Sequence, residues 1–134
     1  NISVGRLASR GSLILKGKNK PQYSPNLPIG DGVIIINTDK VKFSGNKTTD
    51  KKYFKHTGHP GGIKEITPEK LKEKNKSDDI IKKAIKGMLP NSPLFRDLMK
   101  NNLKIYKDAN HPHDSQNPKL LDFKSMNRKN EVNV

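Results

Sequence analysis

The run Val33-Ile34-Ile35-Ile36 constrains the fold of this chain more than any other stretch. All four side chains are β-branched, stiff at χ1 and suited to a pleated surface rather than a helix. Because the run is continuous rather than alternating, it predicts a strand buried on both faces, as in a parallel sheet covered by helices. Asp31-Gly32 leads the chain into it, and Thr38-Asp39-Lys40 turns the chain out. Val41-Lys42-Phe43 then resumes an extended, alternating pattern, and Ser44-Gly45-Asn46-Lys47 reads as a basic turn.

Helical spacing surrounds this strand. Residues 1–15 place Val4, Leu7, Gly11 and Ile14 or Leu15 on one face, with Ser3 positioned to cap. Gly11 costs such a helix about 1 kcal/mol relative to Ala, so its expected use is close packing against a neighbour. Gly17 is placed for a C-cap and Lys16 for the negative end of the helix dipole. Pro21, Pro25 and Pro28 make the next stretch extended loop. Thr67-Pro68-Glu69 combines a capping hydroxyl, a first-turn Pro and a first-turn acid. Ser77-Asp78-Asp79 reads as a second start of the same kind, opening an apolar stripe of Ile80, Ile81, Ala84, Ile85, Met88 and Leu89 that Pro90 ends. Lys82, Lys83 and Lys86 lie off that stripe. Ser92-Pro93 opens a third helix, with Leu94, Phe95, Leu98 and Met99 as its buried side, and Leu103 to Tyr106 alternates as a strand. Beyond Tyr106 the pattern is irregular. No internal repeat is evident, so one domain is expected over residues 1–123, with a polar tail over 124–134.

Charge narrows the partner. Lys plus Arg number 27 against 13 Asp plus Glu, a net +14 that repels itself in a free globule and is tolerated most easily beside a polyanion. Nucleic acid, an anionic membrane surface and acidic protein all fit. Lysine supplies 23 of the 27 cations, which suits neutralising a phosphate backbone better than dense reading of base edges. With no Cys, disulfide frameworks, thiolate catalysis and Cys-based zinc sites are excluded. The aliphatic run at 33–36 is far too short to span a membrane, and the opening residues do not read as a signal peptide.

Cations and aromatics interleave most densely from Lys51 to Lys64. Lys51, Tyr53 and Lys55 alternate with Lys52, Phe54 and His56, so an extended strand presents positive charge beside a ring on either face. The glycines at 58, 61 and 62 then allow a sharp turn and close backbone approach. This composition suits contact with a phosphate backbone, and equally an ordinary hairpin with solvated lysines. Of the two rings, Phe54 is expected to face the core and Tyr53 the partner.

Catalysis has little support. There is no phosphate-cradling glycine loop, no G-x-S-x-G and no paired-carboxylate signal. His111 and His113, with Asp114 beside them, share a spacing that can hold Zn²⁺. Loop histidines that hydrogen-bond backbone or phosphate are the commoner case, and no metal or other cofactor is expected.

Several stretches together resemble one family. They are Val4-Gly5-Arg6-Leu7-Ala8-Ser9, Gly17-Lys18-Asn19-Lys20-Pro21, Gly30-Asp31 with Val33 to Asn37, and Gly45-Asn46-Lys47. Asp50-Lys51-Lys52-Tyr53, His56-Thr57-Gly58, Pro60-Gly61-Gly62, Lys86 to Pro90, and His111-Pro112-His113 with Gln116 and Pro118 continue the series. In this order the chain resembles the large-subunit ribosomal protein L13 family, in its bacterial and organellar form, from Val4 to about Leu121. The resemblance implies an α/β fold, a three-layer α/β/α domain on a small, largely parallel sheet. It also implies a non-enzymatic protein that binds large-subunit rRNA directly, joins assembly early and sits beside neighbouring large-subunit proteins. Two departures stand out: the strand that opens family members about a dozen residues ahead of Val-Gly-Arg-Leu is not among these residues, whether it lies outside this numbering, is replaced by another protein or is lost, and Phe95-Arg96-Asp97 stands where the family has a small or basic run. The tail Met126-Asn127-Arg128-Lys129-Asn130 resembles α-proteobacterial and mitochondrial members, favouring the mitochondrial matrix over a bacterial cytoplasm.

Taken together, these features predict a structural rRNA-binding protein of the ribosome. The candidate RNA-binding residues are Arg6, Arg10, Lys16, Lys18, Lys20, Lys47, Lys51, Lys52, Tyr53, Lys55, His56, His59, Lys64, His111 and His113. The rival readings are a free regulatory RNA- or DNA-binding module outside the ribosome and a metal-dependent hydrolase built on the histidines. A membrane-surface role fits less well, because the apolar face of the amphipathic helix is needed for the core and the chain has no Trp. No small-molecule substrate is implied.

Overall fold

The computed structural model describes residues 2–126. In chain order the elements are β1 (Ile2–Ser3), α1 (Val4–Lys16), β2 (Val33–Ile35), β3 (Val41–Lys42), α2 (Lys47–Asp50), β4 (Tyr53–His56), β5 (Ile63–Ile66), α3 (Pro68–Glu73), α4 (Ser77–Met88), α5 (Pro93–Asn101), β6 (Leu103–Ile105) and α6 (Phe123–Met126). Single 3-10 turns lie at Thr38–Lys40 and Asp114–Gln116. This is an α/β fold in which the strands pair two by two. β1–β3 and β2–β6 are parallel, and β4–β5 is antiparallel. The β2–β6 register sets Val33, Ile34 and Ile35 beside Leu103, Lys104 and Ile105.

The core forms where α1 lies against α4. Val4, Ala8 and Leu15 of α1 are buried, as are Ile80, Ile81 and Ile85 of α4, with Ile35, Val41, Leu71 and Leu103 beneath them. The helical spacing of these residues therefore serves one shared interface. Gly11 faces Ile85, and a Cβ there would meet Ile85 Cδ1 at an ordinary 3.6 Å. Gly17 closes α1 in the left-handed region at φ 75°, sending its N–H back to Ile14 O. The following loop returns so tightly that a Cβ on Gly30 would fall on the Leu15 carbonyl.

The strand at 33–36 is less enclosed than a continuous aliphatic run predicts. Ile35 is buried, but Val33, Ile34 and Ile36 are only partly so. They line an open cavity of about 440 Å³ with Ile2, Leu7, Ile14 and residues 120–123. Burial on both faces requires an element packed closely on each, and between this strand and the Leu7 and Ile14 side of α1 the cavity stays open.

Three local expectations change. Lys47, read as the end of the 44–47 turn, instead opens the short helix α2, which runs to Asp50. Ser3 flanks α1 without a side-chain cap, because Ile2–Ser3 is drawn into pairing with Val41–Lys42. Ser77 is the first residue of α4 rather than its cap, and its buried hydroxyl donates to Asp39 instead. Thr67 does cap α3, accepting from the Lys70 N–H at 3.4 Å. Of the expected tail, residues 124–126 belong to α6, and 127–134 lie outside the described residues.

Candidate nucleic-acid interface

The candidate interface is built on the β4–β5 hairpin. Its register pairs Tyr53 with Ile66, Phe54 with Glu65, Lys55 with Lys64 and His56 with Ile63. The connection closes through Thr57 N–H to Gly62 O and Gly62 N–H to His59 O, both 3.0 Å. Gly58 and Gly61 adopt φ values of 90° and 70°, which side chains resist, so the tip needs its glycines for shape.

Pairing in an antiparallel ladder places partners on the same face. One face therefore carries Tyr53, Ile66, Lys55 and Lys64. At its inner end Tyr53 and Ile66 pack against the core. The Lys83 ammonium lies 4.6 Å from the Tyr53 ring centroid and that of Lys51 lies 5.5 Å away, so two cations meet one half-buried ring. Burial pushes the Tyr53 phenol above its usual range. At the outer end Lys55 and Lys64 are exposed, directly opposite each other, and unpaired with any acid among the described residues.

The other face carries Phe54, Glu65, His56 and Ile63. Phe54 is 65% exposed and Ile63 63% exposed. Lys52 reaches Glu65 at 2.8 Å, and that hydrogen bond and charge raise the Lys52 pKa. His56 accepts the Gly58 N–H on Nδ1 at 2.9 Å, which leaves Nε2 to carry the ring proton of the neutral form. The expectation that Phe54 faces the core is thus reversed. Tyr53 has an isoleucine partner and Phe54 a glutamate, so of the two rings only Tyr53, at the inner end of its face, can be buried without stranding a charge beside it.

The remaining predicted residues divide by what the fold does with them. Lys47, the first residue of α2, is exposed and donates to Ser44 Oγ at 3.3 Å. Arg6 and Arg10 are exposed on α1, and Lys18 is exposed past its end, over the Tyr23 ring. His59 is exposed at the hairpin tip. Two lysines have internal work. Lys16 donates to Met88 O at 2.8 Å, tying α1 to the carbonyl end of α4, and Lys20 bridges Asp31 and the Ile29 carbonyl.

His111 and His113 come together beside β6. The Tyr106 hydroxyl lies 2.8 Å from His113 Nε2, and the His113 N–H reaches His111 Nδ1 at 3.3 Å. These contacts engage ring nitrogens that a metal would need, and among the described residues no three His, Asp or Glu are grouped to hold one. Lys83 is the contact that sequence reasoning missed. Its position off the α4 stripe was visible, but the ring it covers belongs to a strand thirty residues away.

A family model described as Ribosomal protein L13 matches residues 1–112. The large ribosomal subunit protein uL13 of Methylobacterium nodulans is 50% identical over 129 residues, covering 96% of this chain and 84% of that one. That of Neorickettsia sennetsu is 49% identical over 127 residues, covering 95% and 83%. That of Brucella canis is 49% identical over 134 residues, covering 100% and 86%.

Proposed function

This chain belongs to the ribosomal protein L13 family, structural proteins of the large ribosomal subunit and not enzymes, and from that premise we propose that it binds large-subunit rRNA directly and supports subunit assembly. Its place is the ribosome and its process translation. The observation that carries direct RNA binding is the Lys55–Lys64 pair. Like charges directly opposite in a ladder destabilise the free hairpin, and a phosphate lying against both removes that cost. Lys18, Lys47 and Lys51, with Arg6 and Arg10, add exposed positive charge on separate elements, so the fold can hold several RNA segments in fixed relation. His59 and the His111–His113 pair are proposed as hydrogen-bonding contacts, and Tyr53 as a ring at the margin of the interface. Lys16, Lys20 and Lys52 contribute less, since each is already held by a backbone carbonyl or a carboxylate of the chain.

The relatives named above are α-proteobacterial, and none of them supports the mitochondrial matrix over a bacterial cytoplasm. We therefore place the chain on a ribosome of α-proteobacterial type and leave the mitochondrial preference without support.

The test is salt-dependent binding to large-subunit rRNA transcribed in vitro. Replacing Lys18, Lys51, Lys55 and Lys64 with Gln is expected to weaken binding and lower the log–log salt slope by roughly 3. Replacing Lys20 and Lys52 is expected to change the slope by less. An unchanged affinity and slope in the first variant refutes the interface.

A further inference from the structure

Resting on that rRNA-binding reading, we propose that the outer face of the β4–β5 hairpin is a stacking platform for one unpaired nucleobase, with Phe54 as the ring that meets it. Phe54 is 65% exposed and takes no part in the core, which the opposite face already reaches through Tyr53 and Ile66. Its diagonal neighbour Ile63 is 63% exposed and extends the apolar surface. A large ring left in water on a strand paired along its length is held in place at little further entropic cost. It gains area only when something flat covers it.

The surroundings of the ring select nucleic acid as the cover. Residues 51–66 contain four lysines and one carboxylate, Glu65. Glu65 stands directly opposite Phe54, where a bare charge would repel a phosphate chain, but Lys52 neutralises it at 2.8 Å. On the same face, His56 uses Nδ1 internally and keeps Nε2 as a donor beside the ring. Lys55 and Lys64 lie on the reverse of the same two strands, so a chain that stacks a base on Phe54 can pass its backbone around the hairpin to them. Protein interfaces deplete lysine at their centre, whereas here Lys52 shares the face of the apolar pair and Lys55 and Lys64 lie on the reverse of the same two strands. RNA recognition instead places unstacked bases on aromatic rings with cations alongside.

The protein has no Trp, so Phe54→Trp introduces a single indole at the platform. Titrating this variant with large-subunit rRNA transcribed in vitro is expected to quench the indole while keeping affinity close to that of the parent. Phe54→Leu, which keeps the apolar surface and loses the ring, is expected to bind about 5- to 150-fold more weakly with an unchanged salt slope. If the parent binds in a salt-dependent manner, Phe54→Leu binds equally well and the indole is not quenched, the platform is overturned and the RNA-binding reading stands. If Phe54→Leu binds free rRNA normally but is lost from salt-washed large subunits, the cover is a protein neighbour and the platform is again overturned. If the parent binds no rRNA, both readings fall together.

Discussion

Lys55 stands directly across the β4–β5 ladder from Lys64, two exposed ammonium groups with no acid partner among the described residues. A free protein gains nothing from this arrangement. The pair marks a place where folding stability and the proposed rRNA binding make opposite demands.

Lys64→Glu separates those demands. It converts a like-charge pair into an opposite-charge pair and is expected to stabilise the free protein by about 0.2–1 kcal/mol. The same change is expected to weaken rRNA binding several-fold. Thermal unfolding and filter binding on one preparation measure both effects, and a variant that loses stability as well as affinity contradicts this account.

Two glycines predict opposite outcomes under the same substitution. Gly11→Ala adds a methyl at ordinary distance from Ile85 and removes the conformational cost of glycine inside α1. It is expected to raise stability by about 0.5–1 kcal/mol. Gly30→Ala drives a methyl into the Leu15 carbonyl, which is backbone and cannot turn aside. A loss of about 2 kcal/mol or more is expected, read as a lower denaturation midpoint at constant m-value.

Lys16 is expected to act on stability and Lys18 on binding. Lys16→Met keeps the aliphatic stem but removes the donor that holds Met88 O at the end of α4. The expected cost is about 1–2 kcal/mol. Lys18→Met removes an exposed charge and is expected to stay within about 0.5 kcal/mol of the parent. Equal destabilisation of the two variants would show that the Lys16 tie carries no special weight.

Alkaline pH probes the buried side of the hairpin. The Tyr53 phenol is held above its ordinary value of 10.0 by burial, so the folded state keeps a proton that the unfolded state gives up. This contribution is fully present below the unfolded pKa and is lost as pH rises from there through the folded pKa. Lys51 and Lys83 face the ring, and Lys52, whose pKa is also raised, works in the same direction in parent and variant alike. Tyr53→Phe is therefore expected to lose less stability than the parent as the pH rises past the ordinary phenol value of 10.0. Identical pH profiles would show that the phenol is not shielded.

Much of the fold was legible in local chemistry. The Thr67-Pro68-Glu69 start, the Gly17 stop and the α4 stripe all appear where the sequence pattern sets them, because caps and helical periodicity depend on neighbours within a turn. The resemblance across nine short stretches also stands, since it asked only for order and spacing. Burial of the 33–36 run on both faces was not legible in the same way. A run of β-branched residues reports its own preference for a strand and says nothing about whether a helix arrives on each side.

The candidate site divides along the same line. Alternation from Lys51 to His56 determined that Tyr53 and Phe54 point to opposite faces. The register with β5 decided which face is buried, by giving Tyr53 an isoleucine partner and Phe54 a glutamate. Likewise, sequence alone determined that the chain is strongly basic, while tertiary structure decided which lysines are already engaged: Lys16 with Met88 O, Lys20 with Asp31, Lys83 over Tyr53. The reason is physical. Backbone period and charge are properties of residues a few positions apart, whereas an ammonium finds its acceptor only after helices and strands distant in sequence have packed.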